Sequence, residues 1–405
     1  MKIRMPLLRD SHTHVSFYAA LGAAADLSAC RTAAAALALI KKRPGPLALA
    51  RGWNNAYYDL RGAAFDRLGP AVVCNVSLHS FRFNAPARAA LKIRFPDIVA
   101  NIDDQAWVEN NLNRVFGLFT AAGGAEAIPA YMERLAALGV WAADDMLVSD
   151  DEAALLLGRR YAGRARLWTE PDVYRKLGPA ARAAIGGLKF FTDGALGART
   201  AALLRPYRGG GRGRGLLLHS EVELGKLFKL AARLTGRAAV HAIGDAALEQ
   251  VLRVLERLAV PRRSLRVRVE HAQLITQEQA RRARRLGLAL CMQPNFSGDS
   301  ACYADRLPSA YLRANNPFRM LIDKAGFVPG EDLLFGSDGM PHGAAPALQA
   351  ALFPPCPGQR LTLGEFRAGY CLPNLEAGWL DLKVDEAKRK VSVKVGGPAA
   401  AAGRK

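Results

Sequence analysis

Short apolar segments alternate with amphipathic segments along most of this chain of 405 residues. The apolar segments have the composition and length of strands, and they are MPLLRD, GVWAAD, RARLW, GGLKFF, RAAVH, LRVRVEH, LGLALCMQ and DLLFGSD. Helices are predicted between them, and one of these begins with Ser220 and Glu223 at the spacing of a capping box. Eight strands alternating with helices predict a parallel α/β fold that closes into a (β/α)8 TIM-type barrel.

Residues 44–120 do not follow this alternation, and they are rich in Trp, Tyr and Asn. We interpret them as an insertion after strand 1 that forms a lid or a wall of the active site, within a barrel domain of residues 5–375. Near the end of the chain, KVSVKV alternates with period 2 and predicts a residual C-terminal β segment. Residues 398–405 are predicted to form a disordered tail.

The charge of the chain raises the question of nucleic-acid binding, because 56 Lys and Arg against 36 Asp and Glu give a net charge of +20. Basic patches attract phosphate, but the basic residues here are scattered. The densest cluster, RRARRLGL at 281–288, is typical of the solvated face of a helix. Because no nucleic-acid motif accompanies it, we expect no nucleic-acid partner.

The hydrophobic runs and the cysteines predict a cytoplasmic protein. No apolar run reaches the roughly 18 residues of a membrane span, and MPLL is too short for a signal-peptide core. We therefore expect no membrane partner. The six cysteines form no CxxC pair, which predicts reduced thiols rather than a zinc ribbon or a thioredoxin-like motif.

Chemically active side chains stand where the predicted strands end. They are His12, His14, Lys189, His241, His271 and Asp338. The functional face of a (β/α)8 barrel is the carboxyl end of its strands, so these residues are expected on one rim. Imidazole nitrogens and carboxylate oxygens suit Zn²⁺ and similar ions. An isolated HxH is more often a pair of ordinary packed histidines, but four of the seven histidines lie at these strand ends.

Lys189 is the unusual member, because an ammonium group repels a cation. A buried lysine loses proton affinity and becomes nucleophilic, so it can capture CO₂ as a carbamate that bridges two metal ions. A salt bridge to Asp193 or Glu270 is the alternative role for Lys189.

The ordered motifs resemble the amidohydrolase superfamily, and more narrowly amidohydrolase family 3, which includes N-substituted formamide deformylases. The segments that carry the resemblance are DSHTH, LARGWNNAYYDL, SLHSFRFN, LKFFTDGALGARTAALLRPY, VHAIGDAALEQVLRVLE, RVEHAQL, CMQPNF and FGSDGMP. The resemblance implies hydrolysis of a carbon–nitrogen, amide-type bond in a small-molecule substrate by a metal-activated hydroxide. It implies one or two divalent ions, with Zn²⁺ the expected metal.

The resemblance also implies roles for individual residues. His12, His14 and Asp338 would hold the more buried metal, and His241 and His271 would hold the second. Carboxylated Lys189 would bridge the two ions. Asp338 would act as general base and then as general acid. We further expect substrate contacts from His79, Asp193 and His342, although ordinary structural roles for these three remain open.

The chain departs from the family pattern at its start. Family members carry a small β-sandwich built from both ends of the chain, and only about nine residues precede the His pair here. Residues 376–397 are interpreted as a remnant of that sandwich. Either the gene starts upstream of Met1 or this lineage has lost half of the sandwich.

Two other functions remain open. One is a mononuclear deaminase of the same superfamily, whose site typically lacks the bridging lysine. The other is a catalytically silent basic binding protein, which the strand-end residues argue against. The sequence is compatible with a homo-oligomer.

Overall fold

A computed structural model describes residues 2–43, 45–75, 78, 80–104, 107–108, 111–209, 211–258 and 264–398. Within this part of the chain the strands are β1 (Lys2–Pro6), β2 (Leu8–Thr13), β3 (Ala25–Asp26), β4 (Ala48–Trp53), β5 (Ala71–Asn75), β6 (Phe81–Phe83), β7 (Val140–Asp145), β8 (Ala165–Thr169), β9 (Ile185–Phe191), β10 (Arg237–Ala242), β11 (Arg266–His271), β12 (Ala289–Met292), β13 (Leu333–Phe335), β14 (Trp379–Asp385) and β15 (Lys390–Gly396).

The α-helices of the described residues are Val15–Ala23, Ala33–Lys41, Ala63–Asp66, Ala85–Leu91, Pro96–Asn101, Leu112–Gly123, Ile128–Ala137, Asp151–Arg160, Pro171–Lys176, Pro179–Ala184, Glu221–Leu234, Asp245–Arg257, Gln277–Arg285, Asp299–Cys302, Ser309–Ala314, Ala344–Leu352 and Leu363–Tyr370. The predicted capping box is confirmed, because the Ser220 side chain accepts from the Glu223 backbone and the Glu223 carboxylate accepts from the Ser220 backbone. Among these residues no helix is long and apolar enough to cross a membrane.

Contacts divide the chain into two compact units. Unit 1 consists of Met1–Val15, Met132–Met146 and Ala154–Lys405, and unit 2 consists of Ser16–Tyr131 and Leu147–Ala153. The predicted domain boundaries, 5–375 with an insertion at 44–120 and a sandwich remnant at 376–397, stay a prediction. Most of the predicted tail at 398–405 lies outside the described residues.

Unit 1 contains the predicted (β/α)8 barrel. Its eight parallel strands follow one another in the order β2, β7, β8, β9, β10, β11, β12 and β13. The first and last strands meet at their carboxyl ends, where the Asp338 backbone N–H donates to the His12 carbonyl at 2.7 Å. Close approach at this junction requires glycine at 336, since a Cβ there would lie 2.4 Å from the His12 backbone nitrogen. The fold prediction is confirmed.

The segment MPLLRD forms two strands rather than the single strand that we predicted. Met5 and Pro6 belong to β1, which pairs antiparallel with β14 in a separate sheet of β1, β14 and β15. Pro6 carries no backbone N–H, so this ladder ends there and the chain turns into the barrel. Arg4 joins the two strands through both Asp381 oxygens, at 2.8 and 3.1 Å.

Unit 2 is built on a sheet of β3, β4, β5 and β6, in which only β6 runs antiparallel to its neighbour. Trp53 at the end of β4 is fully buried, and its indole N–H donates to the Tyr58 carbonyl at 2.9 Å. Buried apolar residues cover the sheet in two clusters, which include Phe81, Phe119 and Phe65. Trp53 is therefore a packing residue of this unit.

Candidate metal centre

The strand ends of the barrel bring four histidines and one aspartate together. His12 lies in β2 and His14 follows it, while His241 and His271 lie near the ends of β10 and β11. The rings of His12 and His271 are 4.7 Å apart between centroids, and those of His241 and His271 are 4.5 Å apart. Asp338 Oδ1 lies 3.1 Å from His14 Nε2 and 3.6 Å from His12 Nε2. All five side chains therefore share one site.

The backbone has a left-handed conformation at two strand ends, and this conformation orients the side chains of His271 and Asp338. His271 has φ of 70° and Asp338 has φ of 54°, values that residues other than glycine seldom adopt. Asp10 stabilises the turn at Asp338, because its carboxylate accepts hydrogen bonds from the Ser337 hydroxyl and from the Ser337 backbone N–H at 2.8 Å. The turn at Asp338 is thus fixed by buried contacts.

Hydrogen bonds on the far side of three rings select their tautomers. Glu270 Oε2 lies 2.6 Å from His12 Nδ1, and Gln293 Oε1 lies 2.8 Å from His271 Nδ1. Carboxylate and carbonyl oxygens only accept, so each Nδ1 carries the proton and each Nε2 keeps its lone pair. His241 is reversed, because its Nε2 lies 3.1 Å from the Gly194 carbonyl. Each ring therefore offers one free lone pair.

The histidines are also held in the neutral form. Burial and the neighbouring Lys189 lower the pKa of His12 well below its ordinary value, and they lower that of His241 to about 4. Burial and the other histidines lower the pKa of His271 in the same direction. A neutral imidazole is the form that binds a metal. His14 Nδ1 is buried and has no hydrogen-bond partner among the described residues.

Lys189 in β9 is fully buried, and within the described chain its Nζ has no hydrogen-bond partner. No salt bridge to Asp193 or Glu270 joins it in that part of the structure, so the alternative role for this lysine is not supported. Burial lowers its pKa to about 8, against the opposing charges of Glu270 and Asp338. Part of the population is therefore a neutral amine near neutral pH.

The three expected substrate-contact residues have different surroundings. Asp193 is buried and accepts backbone hydrogen bonds at 2.8–3.0 Å, from Ala202, Ile243 and Gly244. His342 Nε2 lies 2.6 Å from Thr13 Oγ1, and burial lowers the pKa of His342 to about 4. His79 lies outside the described residues. A substrate role for any of the three stays a prediction.

Sequence reasoning missed the groups behind the histidines. Glu270 contacts His12 and Gln293 contacts His271, while Arg268 and Asp144 lie behind Glu270. One signal was available in RVRVEH, where period 2 places Arg268 and Glu270 on the same face of β11. Charged residues on the inner face of a barrel strand need buried partners.

Comparison with known proteins identifies the family of the chain. A model described as "Amidohydrolase family" matches residues 2–353. The chain belongs to the amidohydrolase family. It is 37% identical over 146 residues to the amidohydrolase-family protein YtcJ of Bacillus subtilis, a match that covers 36% of this chain and 27% of YtcJ. It is 34% identical over 120 residues to the protein LONG AFTER FAR-RED 3 of Arabidopsis thaliana, covering 29% of this chain and 20% of that protein. The matches thus span about a quarter and a fifth of these two relatives.

Solved structures share the fold. An uncharacterized metal-dependent hydrolase from Pyrococcus furiosus has a TM-score of 0.70 and 22% identity, over 90% of this chain and 80% of that one. A second, from Pyrococcus horikoshii, has a TM-score of 0.68 and 24% identity, over 87% of this chain and 74% of that one. At these identities the likeness concerns the barrel architecture.

Proposed function

We propose that this amidohydrolase-family chain is a metal-dependent hydrolase that cleaves an amide-type carbon–nitrogen bond in a small molecule. The observation that carries this proposal is the cluster of four histidine rings and Asp338 at the strand ends. His12, His241 and His271 each have one ring nitrogen occupied by an acceptor. Histidines that only pack have no need of this arrangement around a carboxylate and a buried amine.

The residues present fit a divalent metal. Lys189 Nζ is a buried polar atom without a hydrogen-bond partner among the described residues, and a metal centre that takes it up as a carbamate would satisfy it. One ion would be held by His12, His14 and Asp338, whose ligand atoms lie within 4.8 Å of one another. A second would be held by His241 and His271. When bound, such a metal supplies Lewis acidity, which lowers the pKa of water from about 15.7 to about 7 and polarises a carbonyl.

Asp338 is the general base and acid of the proposed reaction. Burial would raise its pKa, but His12 and His14 lower it to about 2, so Asp338 is a carboxylate at neutral pH. It takes a proton from the attacking water and passes it to the amine nitrogen as the carbon–nitrogen bond breaks. The products are a carboxylic acid and an amine, which together contain the atoms of the amide and of water.

Lys189 completes the centre as a carbamate. Its neutral amine adds to CO₂, forms a nitrogen–carbon bond and releases one proton. The product is a carbamate anion with two oxygens in place of the ammonium group. A pKa of about 8 makes the neutral amine accessible near neutral pH. The carbamate would bridge the two ions, and no carboxylate from the chain is needed there.

Metal content and amide hydrolysis test this function together. We would measure divalent metal per chain by elemental mass spectrometry, and amine release from a panel of N-formyl and N-acyl amines and amino-acid amides. The wild type is expected to hold about two equivalents and to hydrolyse members of the panel. Lys189→Met should hold about one equivalent and lose most activity. The matched control is Lys324→Met, because Lys324 is an exposed lysine of unit 1.

Each contrary result has a separate meaning. Absence of metal from the wild type, even after reconstitution with Zn²⁺ and bicarbonate, would overturn the proposal. Full activity of Lys189→Met with one ion would overturn the bridging role of Lys189 and favour a mononuclear site, as in the deaminase alternative.

A further inference from the structure

A chain of buried charged groups lies behind His12. Glu270 Oε2 is 2.6 Å from His12 Nδ1, and the other Glu270 oxygen accepts from Arg268 Nε at 2.6 Å. Arg268 Nη1 donates to Asp144 at 2.9 Å, and Nη2 donates to the Ser11 carbonyl at 2.9 Å. We call Asp144, Arg268 and Glu270 the Arg268 network. It holds both the His12 ring and the backbone just before it.

Stability alone does not account for this network. Its side chains are 0% exposed at Asp144 and Glu270 and 8% exposed at Arg268. Burying such charges costs several kcal/mol for each ion, and apolar replacements are often as stable or more stable. Arg268 contacts both carboxylates, and Arg9 lies 3.8 Å from the other Asp144 oxygen, so Glu270 is the carboxylate of the network that also contacts His12.

Glu270 has a second conceivable role as a metal ligand, because Glu270, His12 and Cys291 have ligand atoms within 4.8 Å of one another. Three observations oppose that role. Both Glu270 oxygens already accept a hydrogen bond, from His12 and Arg268. The Arg268 guanidinium beside Glu270 also repels a cation. Burial raises the pKa of the Cys291 thiol well above its ordinary value, so the thiolate ligand is disfavoured.

We propose that Glu270 is a positioning residue that keeps the proton of His12 on Nδ1, and that Arg268 in turn keeps Glu270 in place. The Nε2 lone pair of His12 is then kept free on the side of the ring that faces Asp338, 3.6 Å away. The metal-binding consequence rests on the proposed function, whereas the tautomer itself is a property of the metal-free chain.

The substitution Glu270→Gln tests this inference sharply. Arg268 has only donors, so the glutamine oxygen turns to Arg268 and the glutamine NH₂ turns to His12. That NH₂ donates to Nδ1 and drives the histidine proton to Nε2, which occupies the lone pair that a metal needs. Glu270→Gln should therefore exchange the tautomer of His12, although the side chain has nearly the same shape.

The measurement is the ¹⁵N chemical shift of the His12 ring in the metal-free protein, assigned by comparison with His12→Asn. We expect a proton on Nδ1 in the wild type and on Nε2 in Glu270→Gln. Zinc affinity, measured by chelator competition, should fall roughly 10–100-fold in the variant. Glu331→Gln is the matched control, since Glu331 is exposed, and it should change neither readout.

A wild-type His12 protonated on Nε2 would overturn the inference without the need for any variant to fold. An unchanged tautomer in folded Glu270→Gln would also overturn it. Glu270→Asp retains the carboxylate, and it should keep the proton on Nδ1. Failure of the proposed function would show instead as absence of metal from the wild type, while the tautomer of the metal-free chain would still be readable.

Discussion

The two sides of the candidate metal centre are held in different ways. On one side, His12 is backed by the carboxylate of Glu270, and Asp338 lies against His12 and His14. On the other side, His241 and His271 are backed by neutral carbonyl oxygens, from Gly194 and Gln293. Negative charge is thus concentrated on the His12 side. Because charge-assisted hydrogen bonds are about twice as strong as neutral ones, we expect that side to bind its ion more tightly.

Removal of the carboxylate that defines the His12 side should have the largest effect. Asp338→Asn replaces a ligand and proton acceptor with a neutral amide, which is a poor base. We expect amide hydrolysis to fall by ~10³-fold, within the range for loss of a general base, and one equivalent of metal to be lost. Asp323→Asn is the control, since Asp323 is exposed on unit 1. Retention of both ions and of the rate in Asp338→Asn would refute the role of Asp338.

Removal of the neutral hydrogen-bond acceptor behind His271 should have a smaller effect. Gln293→Leu deletes the acceptor of the His271 proton, a neutral hydrogen bond worth about 1 kcal/mol. We expect the more weakly bound equivalent to lose roughly 3–10-fold in affinity, less than the loss expected for Glu270→Gln. Stepwise chelator titration with elemental analysis measures the loss of metal affinity in both variants. Gln277→Leu is the control, because Gln277 lies outside the site. An equal or larger loss in Gln293→Leu would invert the comparison.

The sequence predicted the barrel and the rim residues for physical reasons that are local. The hydrophobic pattern indicates the alternation of strands and helices. Because the strands are parallel, His12, His241 and His271 lie at one end of the sheet. His14 and Asp338 follow from the same rule. These positions need no knowledge of which distant side chains touch.

The supporting groups were not predictable in the same way. Glu270 and His12 are separated by 258 residues along the chain, and Arg268 and Asp144 by 124. Such contacts depend on the register of strands that pair only after the barrel closes. The sheet of unit 2 was not predicted from the sequence either. Two of its strands have only two or three residues, and one strand runs antiparallel to its neighbour.

The last prediction concerns the acid stability of the metal-free protein. His241 has a native pKa of about 4, against an ordinary value of 6.5, because it is buried beside Lys189. Between these values the unfolded chain binds a proton that the native chain does not, so the free energy of unfolding decreases as pH falls from 6.5 to 4. Over this whole interval the loss from His241 amounts to about 3 kcal/mol.

His241→Asn removes this loss, so its stability should fall less steeply with acid than that of the wild type. Urea unfolding of both metal-free proteins at pH 6.5 and pH 4.5 measures the difference in slope. Lys189 and Asp193 titrate in both proteins, since burial lowers the pKa of Lys189 to about 8 and raises that of Asp193 to about 7. Parallel pH profiles would mean that His241 is protonated as readily in the native chain as in the unfolded chain. In that case His241 would carry a second proton at mildly acidic pH, and it would not be ready to bind a metal there.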